Sequence, residues 1–129
     1  MIAAVETVDG VVLVDVEEEA VLGPGTELPA VVAPKVDLPR VVATAGAGAT
    51  VVAVVDRRPP LAISNDAGAT WREAGGGLPS GFAVAVAEDD PDRMLYAGRN
   101  RLYLSTNGGV FWRSLAFELP DIVGLAWLA

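Results

Sequence analysis

Carboxylates concentrated in one short segment are the first residues of this sequence that could do chemistry. The segment from Glu88 to Asp92 holds four acids around one proline, among them Asp89 and Asp90. A pair of carboxylates is the usual acid and base of glycoside hydrolysis, and oxygen ligands are what Ca²⁺ binds. The same composition describes an exposed turn, the spacing fits no calcium-binding loop, and no second acidic cluster has a defined position opposite this one. The turn is the preferred interpretation, so we assign no catalytic residue and no metal ligand.

Two pairs of arginines could bind an anion. Arg57 and Arg58 stand just before two prolines, and Arg99 and Arg101 occupy the corresponding position in the next repeat of the chain. If both turns lie on one face of the molecule, their guanidinium groups could converge on a carboxylate or a phosphate. Solvated charge in exposed turns is the alternative interpretation, and we prefer it.

The composition excludes many common reaction types. The chain contains no Cys and no His, which removes disulfides, thiolate nucleophiles and histidine as a general base or metal ligand. Nine basic residues against seventeen acidic ones give a net charge of −8, which repels nucleic acid and anionic membrane surfaces. We therefore expect no cofactor, no metal, no nucleic-acid partner and no membrane partner.

The N-terminal segment and the hydropathy give an expectation about the compartment. The first residues lack a basic stretch and meet an acid at Glu6, which is not the pattern of a signal peptide. No apolar run reaches the roughly 18 to 20 residues that span a bilayer. We expect a cytoplasmic protein.

The elements that must position these side chains are short strands. Runs of β-branched residues alternate with Gly, Pro, Asn and Asp along the chain, and no apolar pattern keeps a helical period beyond two turns. We predict an all-β fold of twelve strands, one of them over about Ala30 to Val36.

An internal repeat organises these strands. The segment from Ser64 to Trp71 recurs forty-one residues later as Ser105 to Trp112, and Leu-Pro pairs follow the same spacing at residues 38–39, 78–79 and 119–120. A period near forty with four strands per unit is typical of β-propeller blades. Residues 40–79 and 80–120 each form one predicted blade.

The first blade is predicted to use both ends of the chain. Residues 1–39 supply three strands, and residues 121–129 supply the missing innermost strand. Three blades are fewer than the four to eight that usually surround a propeller axis. We therefore predict a homodimer, in which the C-terminal strand of each chain completes the first blade of the other and two chains form a closed six-bladed ring.

The repeated turn resembles the Asp-box, or BNR repeat, of sialidase-type propellers, a repeat that also occurs in xyloglucanases, sortilin-like receptors and photosystem II assembly factors. The matching positions of the two copies are Ser64, Asp66, Gly68, Thr70 and Trp71, then Ser105, Asn107, Gly109, Phe111 and Trp112. The second copy departs from the pattern at Asn107 and Phe111. Each residue type has a role in a tight turn, since Ser and Asx side chains bond turn amides and Gly adopts positive φ. We assign the box a structural role, which is also what the resemblance implies, because in those families it lies away from the active site.

The resemblance also defines two enzyme types to compare. Sialidases use three arginines, a tyrosine nucleophile and acidic residues, and the chain has Tyr96 and Tyr103 as candidate tyrosines, but no segment matches the catalytic pattern. Xyloglucanase-type hydrolases use paired carboxylates, for which Asp89, Asp90 and Asp92 are the nearest candidates. Trp71, Trp112 and Trp127 could stack on sugars, and packing is the simpler explanation for all three.

Two functions remain open from the sequence. The first is a non-catalytic propeller that binds a protein, small-molecule or carbohydrate ligand on the ring face or in the central channel. The second is a glycoside hydrolase of the sialidase or xyloglucanase type. Short turns leave little room for the long loops from which propeller enzymes build active sites, so the first is preferred.

Overall fold

The computed structural model describes residues 1–128, and within them the chain forms twelve strands and no helix. The described part therefore contains no helix long and apolar enough to cross a membrane. The strands are β1 (Ile2–Thr7), β2 (Gly10–Asp15), β3 (Ala20–Pro24), β4 (Val41–Ala47), β5 (Thr50–Val55), β6 (Leu61–Ser64), β7 (Arg72–Ala74), β8 (Ala83–Val86), β9 (Met94–Ala97), β10 (Arg101–Ser105), β11 (Arg113–Glu118) and β12 (Ile122–Trp127).

These strands form three antiparallel sheets of four strands each within residues 1–128. We call them blade 1 (β12-β1-β2-β3), blade 2 (β4-β5-β6-β7) and blade 3 (β8-β9-β10-β11). All-β architecture and the four-strand unit are as the sequence predicts. The innermost strands are β12, β4 and β8.

Blade 1 is built from the two ends of the chain. β12 pairs antiparallel with β1, with Ala4 opposite Ala126 and Val5 opposite Leu125. β1 in turn pairs with β2, so the C-terminal strand completes the sheet that begins near the N-terminus. The pairing joins strands of one chain, and its exchange between two chains stays a prediction.

The outermost strand of blade 1 differs from the prediction. It is β3, Ala20–Pro24, which pairs with β2 directly after a short turn. The predicted strand over about Ala30 to Val36 is wrong, because those residues lie outside the strands. The valines of this segment favour a strand, but Pro29 and Pro34 cannot donate hydrogen bonds to a neighbouring strand. In addition, β3 follows β2 after a short turn and already occupies the outer hydrogen-bonding edge of β2.

Blade 3 is packed between the other two blades. Leu95, Leu102 and Leu104 point from it into a core shared with Ala3, Val5 and Val14 of blade 1. On the opposite face, Met94 and Tyr96 join a core with Val52, Val54, Leu61 and Ile63 of blade 2. Successive strand residues point to opposite faces, so one four-stranded sheet serves both cores.

The packing gives every blade a direction. We call the side of blade 3 that contacts blade 1 its forward face and the side that contacts blade 2 its rear face. By the same repeat, Leu61 and Ile63 lie on the forward face of blade 2, and Ala3 and Val5 lie on the rear face of blade 1. The blades therefore follow one another in the order 2, 3, 1.

A long connection covers the two faces that have no blade against them. Residues 25–40, which we call the strap, join β3 to β4. Val36 and Leu38 of the strap pack on Ala53, Val55 and Ala62 at the rear face of blade 2. At the forward face of blade 1, a Cβ on Gly124 would stand 3.1 Å from Leu28, so the strap lies close to β12 there.

Candidate functional site

A cavity of about 740 Å³ lies where the three innermost strands approach one another. Its walls include residues 44–46 of β4, residues 84–89 of β8 and the turn that follows it, and residues 125–128 at the end of β12. Residues 29–31 and 33 of the strap form a further wall. Every blade and the strap thus contribute to this one space.

The cavity walls are mainly apolar, and their polar side chains are Thr44 on β4 and two acids after β8. Ala45, Val84 and Leu125 are buried side chains on its walls. Trp127 is half-buried, and its indole Nε1 donates a hydrogen bond to the backbone oxygen of Ala85 at 3.3 Å, which fixes the ring between β12 and β8. Trp127 therefore packs against the core, as the sequence predicts, and also forms part of the cavity wall.

Two acids lie at the end of the cavity that is formed by the turn after β8. Glu88 and Asp89 are exposed and line the cavity, and no ion pair to either is formed within residues 1–128. They are neighbours in sequence, so they approach the space from one side. Glycosidases need two carboxylates that flank the scissile bond, and this arrangement does not supply the second one.

The rest of the acidic segment bonds within its own turn and, through the Asp92 backbone oxygen, to the amide of Gly108. The carboxylate of Asp90 accepts a hydrogen bond from the Asp92 amide at 3.3 Å, and its backbone oxygen accepts one from the Arg93 amide at 2.9 Å. Neither Asp90 nor Asp92 lines the cavity. Within the described residues no three acids come together in a way that could hold a metal ion.

The two tyrosines have different surroundings. Tyr96 is fully buried between blades 2 and 3, where its hydroxyl donates to the backbone oxygen of Pro79 at 2.7 Å. Burial raises the pKa of Tyr96, so this phenol stays protonated and is a poor nucleophile. Tyr103 lines a separate groove of about 380 Å³ together with Phe111, Trp112 and the glycines of residues 75–77.

Two of the four candidate arginines, Arg57 and Arg101, bond within their own blade, and Arg58 and Arg99 bond the connections that follow β7 and β11. Arg57 pairs with Glu73 at 3.0 Å, and Arg58 donates to the backbone oxygen of Leu78 at 2.8 Å. Arg101 pairs with Glu118 at 2.8 Å. Arg99 pairs with Asp121 at 3.2 Å. An anion at these turns would have to compete with three carboxylates, and no hydrogen bond or ion pair among residues 1–128 joins the two arginine pairs.

The first repeated turn uses its polar atoms internally. The Ser64 hydroxyl accepts from the Gly68 amide at 2.8 Å and donates to the Asp66 carboxylate at 2.7 Å. That carboxylate also accepts from the amide and the hydroxyl of Thr70, at 2.9 Å and 2.6 Å. These bonds, those from Thr70 first, lower the pKa of Asp66 to about 2. Trp71 closes the turn and packs beside Ala53 and Ala62.

The second turn repeats the first without a carboxylate. The Ser105 hydroxyl donates to the Asn107 side-chain oxygen at 3.0 Å and accepts from the Gly109 amide at 2.9 Å. The same Asn107 oxygen accepts the Phe111 amide at 3.0 Å. Trp112 donates from its indole to the Gly109 oxygen and meets Tyr96 edge-on, with ring centroids 6.0 Å apart. A neutral amide thus fills the place of Asp66, so this geometry does not depend on charge.

Glu17 and Glu19 have a role that the sequence did not indicate. Glu17 pairs with Arg93 at 3.1 Å, and this hydrogen bond, followed by the charge of the N-terminal amine, lowers the pKa of Glu17. Glu19 pairs with Arg113 at 3.0 Å. Both contacts join the turn after β2 to blade 3, so these two acids link blade 1 to blade 3. Contacts between residues so far apart in the chain leave no pattern in the local sequence from which they could be predicted.

A comparison with known proteins identifies the scaffold. No family model and no curated protein matches the chain. The crystal structure of the GH74 enzyme of Niastella koreensis is similar to it, with a TM-score of 0.54 and 26% identity over 92% of this chain. The chain spans 18% of the length of that enzyme. Because GH74 is a β-propeller family, the likeness and the three four-stranded sheets support a β-propeller-like fold.

Proposed function

We propose that the chain is a non-catalytic binding module on a propeller-type scaffold, and that its ligand occupies the central cavity. The observation that carries the proposal is the cavity of about 740 Å³ that all three blades and the strap line together. Small-molecule sites in proteins are mostly apolar hollows of about 300–1,000 Å³ with a few polar groups that fix orientation. The two Ser-x-Asx turns, which resemble the Asp-box, support the same scaffold and lie outside this cavity.

The lining indicates what the ligand should look like. Alanine, valine and leucine walls favour an apolar body, and the half-buried Trp127 offers one aromatic surface. Glu88 and Asp89 accept hydrogen bonds and attract positive charge at one end. The best fit is an elongated ligand with an apolar or flat body that carries hydroxyl or amino groups at one end. The long side chain of a protein partner meets this description, and a sugar chain would place one flat ring face on Trp127.

A cavity-filling variant tests the proposal. Val31 is 67% exposed and lines the cavity, whereas its neighbour Val32 is 95% exposed and does not. Val31→Trp should therefore fill the cavity, and Val32→Trp is the matched control on the same strap. The neutral dye Nile red is the first probe, followed by cello-oligosaccharides and an alkylamine, each titrated by fluorescence. We expect Val31→Trp to weaken binding of the preferred probe by about tenfold or more, a change of about 1.4 kcal/mol, and Val32→Trp to bind as the parent does.

Two outcomes would contradict the proposal. One is that none of the three probes binds the parent chain at a protein concentration low enough for single chains to be present. The other is that both tryptophan variants lose binding equally, since that would locate the ligand elsewhere. Glu88→Gln combined with Asp89→Asn then separates the ligand classes, because it should weaken the alkylamine more than the oligosaccharide.

A glycoside hydrolase is the second candidate, and the likeness to the GH74 enzyme favours it. Its test is hydrolysis of β-glucans and sialosides by the parent chain. Turnover that disappears in Asp89→Asn or Tyr103→Phe would replace the binding proposal with an enzymatic one. The single acidic side of the cavity and the buried Tyr96 argue for no turnover.

A further inference from the structure

Two blade faces lack the neighbour that the repeat is built to receive. The forward faces of blades 2 and 3 each pack on the rear face of another blade. The forward face of blade 1 and the rear face of blade 2 do not, since no core cluster of residues 1–128 joins these two blades. The forward face of blade 1 corresponds to the packed forward faces of blades 2 and 3, and the rear face of blade 2 corresponds to the packed rear faces of blades 3 and 1. The two uncovered faces should therefore be complementary to each other.

The strap replaces that missing contact incompletely. On blade 1, a Cβ on Gly25 would stand 3.0 Å from Val11, and Leu28 lies beside Gly124. On blade 2, the Thr44 hydroxyl donates to the Pro34 oxygen at 3.1 Å. Between these contacts Val31 and Val32 remain 67% and 95% exposed. An irregular segment with exposed valines buries less apolar surface than a four-stranded sheet would.

The length and composition of the strap fit a hinge. It has sixteen residues, 25–40, whereas the equivalent connection between β7 and β8 has eight, 75–82. Prolines at positions 29, 34 and 39 recur every five residues along it, continuing the spacing from Pro24 at the end of β3. Proline-rich segments behave as extended, semi-rigid spacers and can hold two units apart.

We propose that two copies of this chain exchange residues 1–24 and form a six-bladed ring. In the exchanged dimer, β1 of each chain pairs with β12 of the other, and the strap leaves the two faces that it covers. The forward face of blade 1 then packs on the rear face of blade 2 of the same chain. Every strand pairing of the single chain is kept. Only the β1–β12 pairing and the contacts of β1, β2 and β3 with blade 3 pass between chains, and exchange of an identical element is a low-cost route to a dimer.

Cross-linking across the exchanged pair tests the proposal directly. Ala4 and Ala126 face each other between β1 and β12, and the native sequence has no cysteine to compete. On oxidation, Ala4→Cys with Ala126→Cys should give a covalent dimer of twice the 13.3 kDa chain mass in denaturing gels. The matched control is Ala53→Cys with Ala62→Cys, an alanine pair within blade 2, which should cross-link inside one chain only.

Light scattering of the parent chain at micromolar concentration provides the second measurement. We expect twice the chain mass there as well, and this holds whether or not the cysteine variants fold. A parent mass of one chain would overturn the proposal. A disulfide between positions 4 and 126 that forms only within single chains would also overturn it, even if the parent is a dimer, since that dimer would form by another surface.

Discussion

At the scale of single residues, the two repeated turns show which polar atoms hold the turn together. Ser64 and Ser105 make the same pair of bonds, and Asp66 and Asn107 accept from the same turn amide. The difference is one charge and one extra acceptor, which in the first turn receives the Thr70 hydroxyl. The first turn is therefore sensitive to acid, and the second is not.

Asp66→Asn should remove part of the acid sensitivity of the fold. The pKa of Asp66 is lowered in the folded chain from an ordinary value of 3.8 to about 2, so its bonds stabilise the fold fully above the ordinary value. That stabilisation is lost as the pH falls from about 4 through about 2. Melting temperatures measured from pH 6 to pH 2 should fall less steeply in that interval for Asp66→Asn than for the parent.

The reverse variant is the control for this experiment. Asn107→Asp adds a carboxylate to the second turn, where no Thr hydroxyl is present to bond it. It should make the acid dependence steeper or leave it unchanged. Parallel curves for the parent and Asp66→Asn would mean that Asp66 does not stabilise the folded state through its charged form.

At the scale of elements, sequence patterns predicted the blades but not the connection between them. The β-branched runs and the Ser-x-Asx turns predicted eleven strands at or near their observed positions, because a strand and its hairpin are fixed by neighbours in sequence. The strap was wrongly predicted to contain a strand, because Val31, Val32 and Val36 have strand propensity. The prolines of the strap lower that propensity but do not by themselves exclude a strand. The cavity was also not predicted, because one of its walls is this segment.

Shortening the strap should force the exchanged state. Deletion of residues 27–34 leaves a connection of eight residues, the length found between β7 and β8. That length suits adjacent blades, and it removes the side chains that cover blade 1. We expect the deletion variant to have twice the mass of its own single chain at all concentrations measured by light scattering. A strap of unchanged length with Gly and Ser at residues 27–34 is the control, and we expect its dimer to dissociate on dilution because its single chain keeps a strap long enough to reach both faces.

At the scale of the whole molecule, ligand and dimer should compete. The strap forms a wall of the cavity in the single chain, and this wall is lost if the strap leaves the blade faces. A ligand that needs the wall binds one state better and must shift the balance toward it. By linkage, the factor by which the ligand weakens dimerisation equals the factor by which dimerisation weakens ligand binding.

This competition can be measured with the probe that binds the parent chain. Saturating probe should lower the dimer fraction seen by light scattering, and dilution of the protein should raise its apparent affinity for the probe. In Val31→Trp both effects should disappear. An unchanged dimer fraction at saturation would mean that the cavity survives exchange and that the strap wall is not required for binding.

The closure of blade 1 by β12 also sets the order in which the chain can fold during synthesis. β1 must wait for a partner strand that begins at Ile122, so its inner edge is unpaired while more than one hundred further residues are added. At about 5–20 residues per second this wait lasts roughly ten seconds. Ribosomes that follow one another on a message carry other copies with the same waiting edge. A β12 strand that becomes free once it has been synthesised can then pair with the waiting edge of a neighbouring nascent chain, so synthesis of many copies on one message favours exchange.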